Sequence, residues 1–181
     1  MDYMSGKLAG LFTGIIVGLI ICYFAFKKMN KNGKLRTEYD ERQKEIRGKG
    51  YQCAFWAESI YFAFLMLLDI AEVEIPAVKT VTYFTGFMLG VVVLYTYCII
   101  KGAYFGLNNN IKSWTIFLTF FGILNIIISI MNYFSGTLIV DGILMPGFIN
   151  FLCGAMLLLA VIIVAIKKAV DAREDLSDEE S

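Results

Sequence analysis

Two carboxylates lie inside the apolar stretches of this 181-residue chain, Glu58 and Asp69. An ionisable group deep in an apolar segment is costly unless it is neutralised or paired. They stand close to three helical turns apart, so a helix carries both on one face with Tyr51, Phe55, Phe62 and Leu65. Burial favours the protonated acid, which would make Glu58 a neutral hydrogen-bond donor rather than a charge. A second polar row, Gly122, Asn125, Ser129 and Asn132, recurs at helical spacing, and Thr119 matches Glu58 in depth. Together these groups can line a cation or proton path across a membrane. The competing reading is hydrogen-bond glue between helices, worth about 0.6 kcal/mol per bond. The closeness of Asp69 to the outer interface favours glue.

Four cysteines are the other reactive groups. Cys22, Cys53 and Cys98 fall near the same end of their respective apolar segments and can meet at one level, where three thiolates would suit a soft metal. Small reduced hydrophobes on a reducing side are the better description, so no metal site or cofactor is expected. The chain has no histidine, which removes His-based acid–base catalysis, Ser-His and Cys-His pairs and most zinc sites. It also lacks a phosphate-binding glycine loop, a dinucleotide fingerprint and HExxH. Glu58 and Asp69 would lie about 16 Å apart along a helix and cannot share a proton as an aspartyl dyad does. The expectation is a protein that is not an enzyme.

The elements that must position these residues are five apolar segments, near residues 8–26, 51–71, 80–100, 114–136 and 148–166. Each can cross a hydrocarbon core of about 30 Å, which takes roughly 20 helical residues. At 58% hydrophobic residues the chain cannot hide all five in a water-soluble core. The runs are continuous rather than alternating, which selects helices over a barrel. The predicted fold is therefore all-α, a bundle of five transmembrane helices forming one domain over residues 1–170. Residues 171–181 form an acidic tail, expected to be a frayed helical extension followed by disorder.

Cations assign the sides. Nine of the 16 Lys and Arg residues fall between the first and second segments. Lys101, Lys112, Lys167, Lys168 and Arg173 share that side, and only Lys7 and Lys79 oppose them, a split of 14 to 2. The positive-inside bias puts the N-terminus outside and the C-terminus in the cytoplasm. The first segment reads as a retained helix, since Asp2 opposes Lys7 ahead of it and Lys27-Lys28 follow without a small-residue cleavage site. Lys27, Lys28, Lys31, Lys34 and Arg36 become candidates for contact with anionic headgroups of the inner leaflet, at about 1 kcal/mol per cation near the surface. Interleaved acids and a membrane-tethered loop argue against nucleic acid as a partner. The 27 aromatic residues fit interfacial anchoring.

The first loop is expected to be partly helical, capped by Thr37 and supported by i, i+4 pairs Glu38–Arg42, Asp40–Lys44 and Glu45–Lys49. The second span either begins at Tyr51 or runs continuously from the loop helix near Glu38; Gly48 and Gly50 favour a break. The run Tyr39-Asp40-Glu41-Arg42-Gln43, with Arg47-Gly48-Lys49-Gly50-Tyr51 leading into an aromatic span, resembles a segment of uncharacterised small multi-pass membrane proteins of Gram-positive-type bacteria. The resemblance implies a bacterial plasma-membrane protein and brings no catalytic residues.

Glycines supply the packing signal. Gly6, Gly10, Gly14 and Gly18 recur every four residues, and Gly86 with Gly90 repeats the spacing in the third span. Such stripes let another helix approach the backbone closely. Packing within one subunit is the plain expectation; a homo-oligomer seam on the first helix is the sharper one. A non-enzymatic accessory, assembly or sensing component, in the bilayer beside a larger membrane protein or its own copies, is the functional expectation. The alternative is a small ion- or proton-coupled permease subunit using Glu58 and the polar row.

Overall fold

The computed structural model describes residues 3–33 and 35–179. Asp2 and Lys34 lie outside the described residues, and for Gly6 and Lys7 only the backbone is described. Five helices follow one another: α1 (Tyr3–Met29), α2 (Glu41–Ile70), α3 (Lys79–Ile100), α4 (Ile111–Phe134) and α5 (Phe148–Glu179). All five are long and apolar enough to span a membrane. Two two-residue strands, β1 (Ile139–Val140) and β2 (Ile143–Leu144), pair antiparallel between α4 and α5. Asp141 and Gly142 turn this hairpin with φ of 51° and 79°, the left-handed pair that a tight two-residue turn requires.

The start of α2 departs from expectation. Asp40, not Thr37, caps the helix: its carboxylate accepts from Gln43 N at 2.6 Å, and the Gln43 side chain accepts from Asp40 N at 3.4 Å. This reciprocal arrangement satisfies two of the N–H groups that a helix start leaves unpaired. With Asp40 engaged, Lys44 pairs with Glu41 at 2.7 Å, while the expected Glu45–Lys49 pair forms, also at 2.7 Å. Arg42 turns away and donates to the Lys101 carbonyl at 3.1 Å. No break occurs at Gly48 or Gly50, and α2 runs unbroken for 30 residues. Gly50 serves proximity instead: a Cβ there would lie 3.1 Å from Cys98 Sγ and 3.2 Å from Leu94 Cδ1 of α3. The helix is about 45 Å long, so its first turns extend beyond the hydrocarbon on the basic side.

Packing is serial. α2 lies on α3, α3 on α5, and α5 on α4. Tyr95 and Ile99 of α3 meet Ala160 of α5 in a buried cluster, and Tyr95 Oη donates to the Met156 carbonyl at 3.1 Å. Gly86 and Gly90 let α2 approach α3. A Cβ at Gly86 would sit 2.6 Å from Tyr61 Cδ1, and one at Gly90 would overlap the Glu58 carboxylate.

α1 takes no comparable part. Gly10, Gly14 and Gly18 have nothing within 4 Å of where a Cβ would stand, so the expectation that this stripe packs inside the subunit fails at these three positions. Leu19 is 65% exposed and Phe24 64%. The helix is held at its C-terminal end, where Phe26 meets Trp114 at 5.4 Å between ring centroids and Asn110 N donates to Met29 O at 2.9 Å. α5 continues through nine of the eleven tail residues, to Glu179, where a short frayed extension followed by disorder is the sequence expectation, and Lys167 pairs with Asp171.

Candidate functional site

The intramembrane polar residues separate into different interfaces. Glu58 is partly buried on α2 and fills the space left by Gly90 of α3. Asp69, the penultimate residue of α2, is exposed. The α4 row packs with α5 instead: Gly122 admits Leu158, Ser129 is 4% exposed, and Asn132 lies against Gly147. Thr119 donates to the Thr115 carbonyl at 2.8 Å and Asn125 to the Phe121 carbonyl at 2.9 Å, both within their own helix. Because α2 leans on α3 while α4 leans on α5, the two sets do not form one continuous polar line. The cysteines do not converge either. Cys22 and Cys53 are exposed, Cys98 is buried, and among the described residues no group of three His, Cys, Asp or Glu side chains is placed to hold a metal.

The densest polar structure lies on the basic face, where the first loop and the loop between α3 and α4 interlock. Asn108 accepts from Glu38 N at 2.9 Å and donates to the Arg36 carbonyl at 3.0 Å. Asn109, 5% exposed, donates to Asn30 Oδ1 at 2.5 Å and accepts from Gly106 N at 2.8 Å. Asn110 caps α4 by accepting from Ser113 N at 3.2 Å. Gln43, 8% exposed, donates to the carbonyls of Gly102 and Phe105. A buried amide needs such partners, since leaving one unmade costs about 1–3 kcal/mol. The sequence signal for this clamp was the Asn108-Asn109-Asn110 run ahead of an apolar segment. Lys27, Lys28, Lys31 and Arg36, expected to contact anionic headgroups, are exposed; Lys34 falls outside the described residues.

Arg47 occupies the centre of the platform. It is partly buried on α2, with its guanidinium carbon 4.3 Å above the Tyr39 ring and 5.9 Å from that of Tyr51. Its donors reach Tyr51 Oη at 3.3 Å and the Ala103 carbonyl at 3.5 Å. These exceed the 2.7–3.2 Å of a well-formed N–H···O bond. No carboxylate pairs with it among the described residues. Burial pushes the phenols of Tyr39 and Tyr104 up, and the nearby Arg47 charge only partly opposes this. Both stay neutral at physiological pH and leave the positive charge uncompensated.

Two cavities meet at this arginine. One, of about 330 Å³, opens among Thr37, Tyr39, Tyr104, Asn109 and Trp114. The other, of about 140 Å³, is lined mainly by carbon from α3, α4 and α5, including Val91, Leu94, Leu118 and Ala160. Arg47 and Tyr104 belong to both walls. The Trp114 indole N–H is buried without an acceptor. What this arrangement offers is donors and positive charge; it pairs no nucleophile with a base. In the sequence Arg47 is one of nine loop cations and nothing marks it out, because its partial burial, unlike the exposure of the other described cations of that loop, is a tertiary property. Compared with protein-family models, curated proteins and solved structures, the chain finds no match.

Proposed function

We propose that this protein is a non-enzymatic assembly component of a bacterial plasma membrane, in which α1 is the docking helix for a transmembrane helix of a larger membrane protein. The observation that carries this reading is that α1, a helix long and apolar enough to span, has nothing within 4 Å of a Cβ at Gly10, Gly14 or Gly18, while the contacts described for it lie at its C-terminal end. In lipid no hydrophobic force drives helices together, so association depends on close van der Waals packing, which small residues at every fourth position permit. A helix tied only at its cytoplasmic root can present that stripe sideways. The basic face supports the same role, since its exposed lysines hold the platform against anionic headgroups and keep the root of α1 at a defined depth.

Affinity purification from native membranes at low expression, with mass spectrometry of the retained proteins, tests the reading. One larger membrane protein should co-purify in constant ratio and be lost on Gly14→Leu. Recovery of the chain alone, or retention of the partner by Gly14→Leu, would overturn it. A ladder of self-crosslinked species that Gly14→Leu abolishes would replace the partner with a second copy.

A further inference from the structure

We infer that the paired cavities at Arg47 form a binding site for an anionic amphiphile, with a phosphate or carboxylate head at the guanidinium and a hydrocarbon stretch in the apolar cavity. This does not depend on the docking role of α1.

Three observations converge. First, Arg47 is a partly buried cation with five N–H donors, two of them in long hydrogen bonds and none paired with a carboxylate among the described residues. Removing such a charge from water is costly unless a counter-charge arrives. A planar guanidinium fork matches the paired oxygens of phosphate or carboxylate. Second, the larger cavity is lined beside Arg47 by the rings of Tyr39, Tyr104 and Trp114 and by the side chains of Thr37 and Asn109, and no carboxylate is among its lining residues, so the guanidinium is the charged group an acceptor oxygen would meet there. Third, the smaller cavity offers almost no polar group beyond Arg47 and the hydroxyls of Tyr95 and Tyr104, and the first of these is already spent on the Met156 carbonyl. An apolar void of about 150 Å³ is enough for a benzene-sized group, so this one accepts a short hydrocarbon stretch. Arg47 and Tyr104 line both spaces, so a head bound at the guanidinium stands where the two cavities adjoin.

Location supplies the ligand's source. The site lies between the interlocked basic loops and the ends of α3 and α4, where the apolar spans give way to polar loops; a lipid headgroup with its chain is the amphiphile that such a boundary would meet. Free phosphate carries the head chemistry without the chain, and the test separates the two.

Trp114 is a built-in reporter once the exposed Trp56 is replaced by Phe. The full-length Trp56→Phe protein, in a zwitterionic detergent, is titrated with dihexanoyl phosphatidic acid, dihexanoyl phosphatidylcholine and inorganic phosphate while indole emission is followed. Phosphatidic acid should give a saturable change, with phosphatidylcholine and phosphate at least about tenfold weaker. Arg47→Gln should weaken phosphatidic acid binding by about tenfold or more, the size expected when a charge-assisted hydrogen bond is lost. Arg47→Lys, which keeps the charge but not the fork, should fall between them. Helical content by circular dichroism controls for folding; if Arg47→Gln does not fold, the lysine variant carries the comparison. Binding unchanged in whichever variant folds would overturn the proposal. So would loss of binding in a Lys27, Lys28, Lys31→Gln variant with no loss on changing Arg47, which would make the effect surface attraction. Phosphate binding as tightly as the lipid would overturn the amphiphile assignment in favour of a simple anion.

Discussion

α1 and α3 carry the same small-residue spacing and use it in opposite ways. On α3, Gly86 and Gly90 are filled by Tyr61, Phe62 and Glu58 of α2. On α1, Gly10, Gly14 and Gly18 face empty space. The difference shows that the spacing specifies a surface that can be approached closely, while the approaching partner is specified elsewhere. For α3 that partner is covalently close: α2 and α3 are joined by a short outer connection, and the large residues of α2 stand at the matching depth. For α1 the following loop is committed to the platform, where Lys31 N donates to Asn108 O at 2.7 Å, and this leaves no neighbour at its stripe.

The largest test of that contrast is Gly90→Leu. It drives a branched side chain into the Glu58 carboxylate and the α2–α3 interface, and overpacking of this kind typically costs about 1–3 kcal/mol. A lowered unfolding midpoint in detergent is expected, and an unchanged one would mean that α2 and α3 do not meet as described. A smaller effect comes from a cycle of Gly90→Ala and Glu58→Ala. Gly90→Ala alone should destabilise, and removing the carboxylate in the same chain should recover most of the loss, with a coupling of about 1 kcal/mol or more. Additive effects would place Glu58 away from Gly90.

Asn109→Ala moves the comparison to the root of α1. It removes the acceptor of Gly106 N and the donor to Asn30, costing about 1–2 kcal/mol and opening the first loop to protease. Equal protease resistance in mutant and wild type would show that the clamp does not hold this loop. The smallest expected effect is that of Gly14→Leu on the isolated chain. Its unfolding midpoint should stay within about 0.5 kcal/mol of wild type, whatever it does to partner binding. A large loss would show that α1 packs on its own bundle.

Much of the fold was legible in the chain. The five spans emerged from run length because a bilayer demands continuous apolar helices, and the Glu45–Lys49 pair from a spacing that any helix brings together. The start of α2 was misplaced because Thr37 and Asp40 are both good caps by type. What separated them was Gln43, whose side chain completes the reciprocal bond only with Asp40. The hairpin's signal, Asp141-Gly142 between apolar pairs, is short and stands between two much stronger helical runs. Of the candidate site, the cations of the first loop were visible as a group. That one of them, Arg47, lies between two cavities was not, because those cavities are made by residues from α1, α3, α4 and α5 as well.

Composition and one-dimensional spacing settle how the chain divides between lipid and water and which loops share a face. Those are properties of single segments meeting a solvent. Which glycine stripe is filled, whether Glu58 meets the α4 row, and where a lone guanidinium comes to rest depend on how helices choose neighbours. In lipid that choice rests on short-range packing between surfaces far apart in sequence, so it was decided only when the helices were assembled.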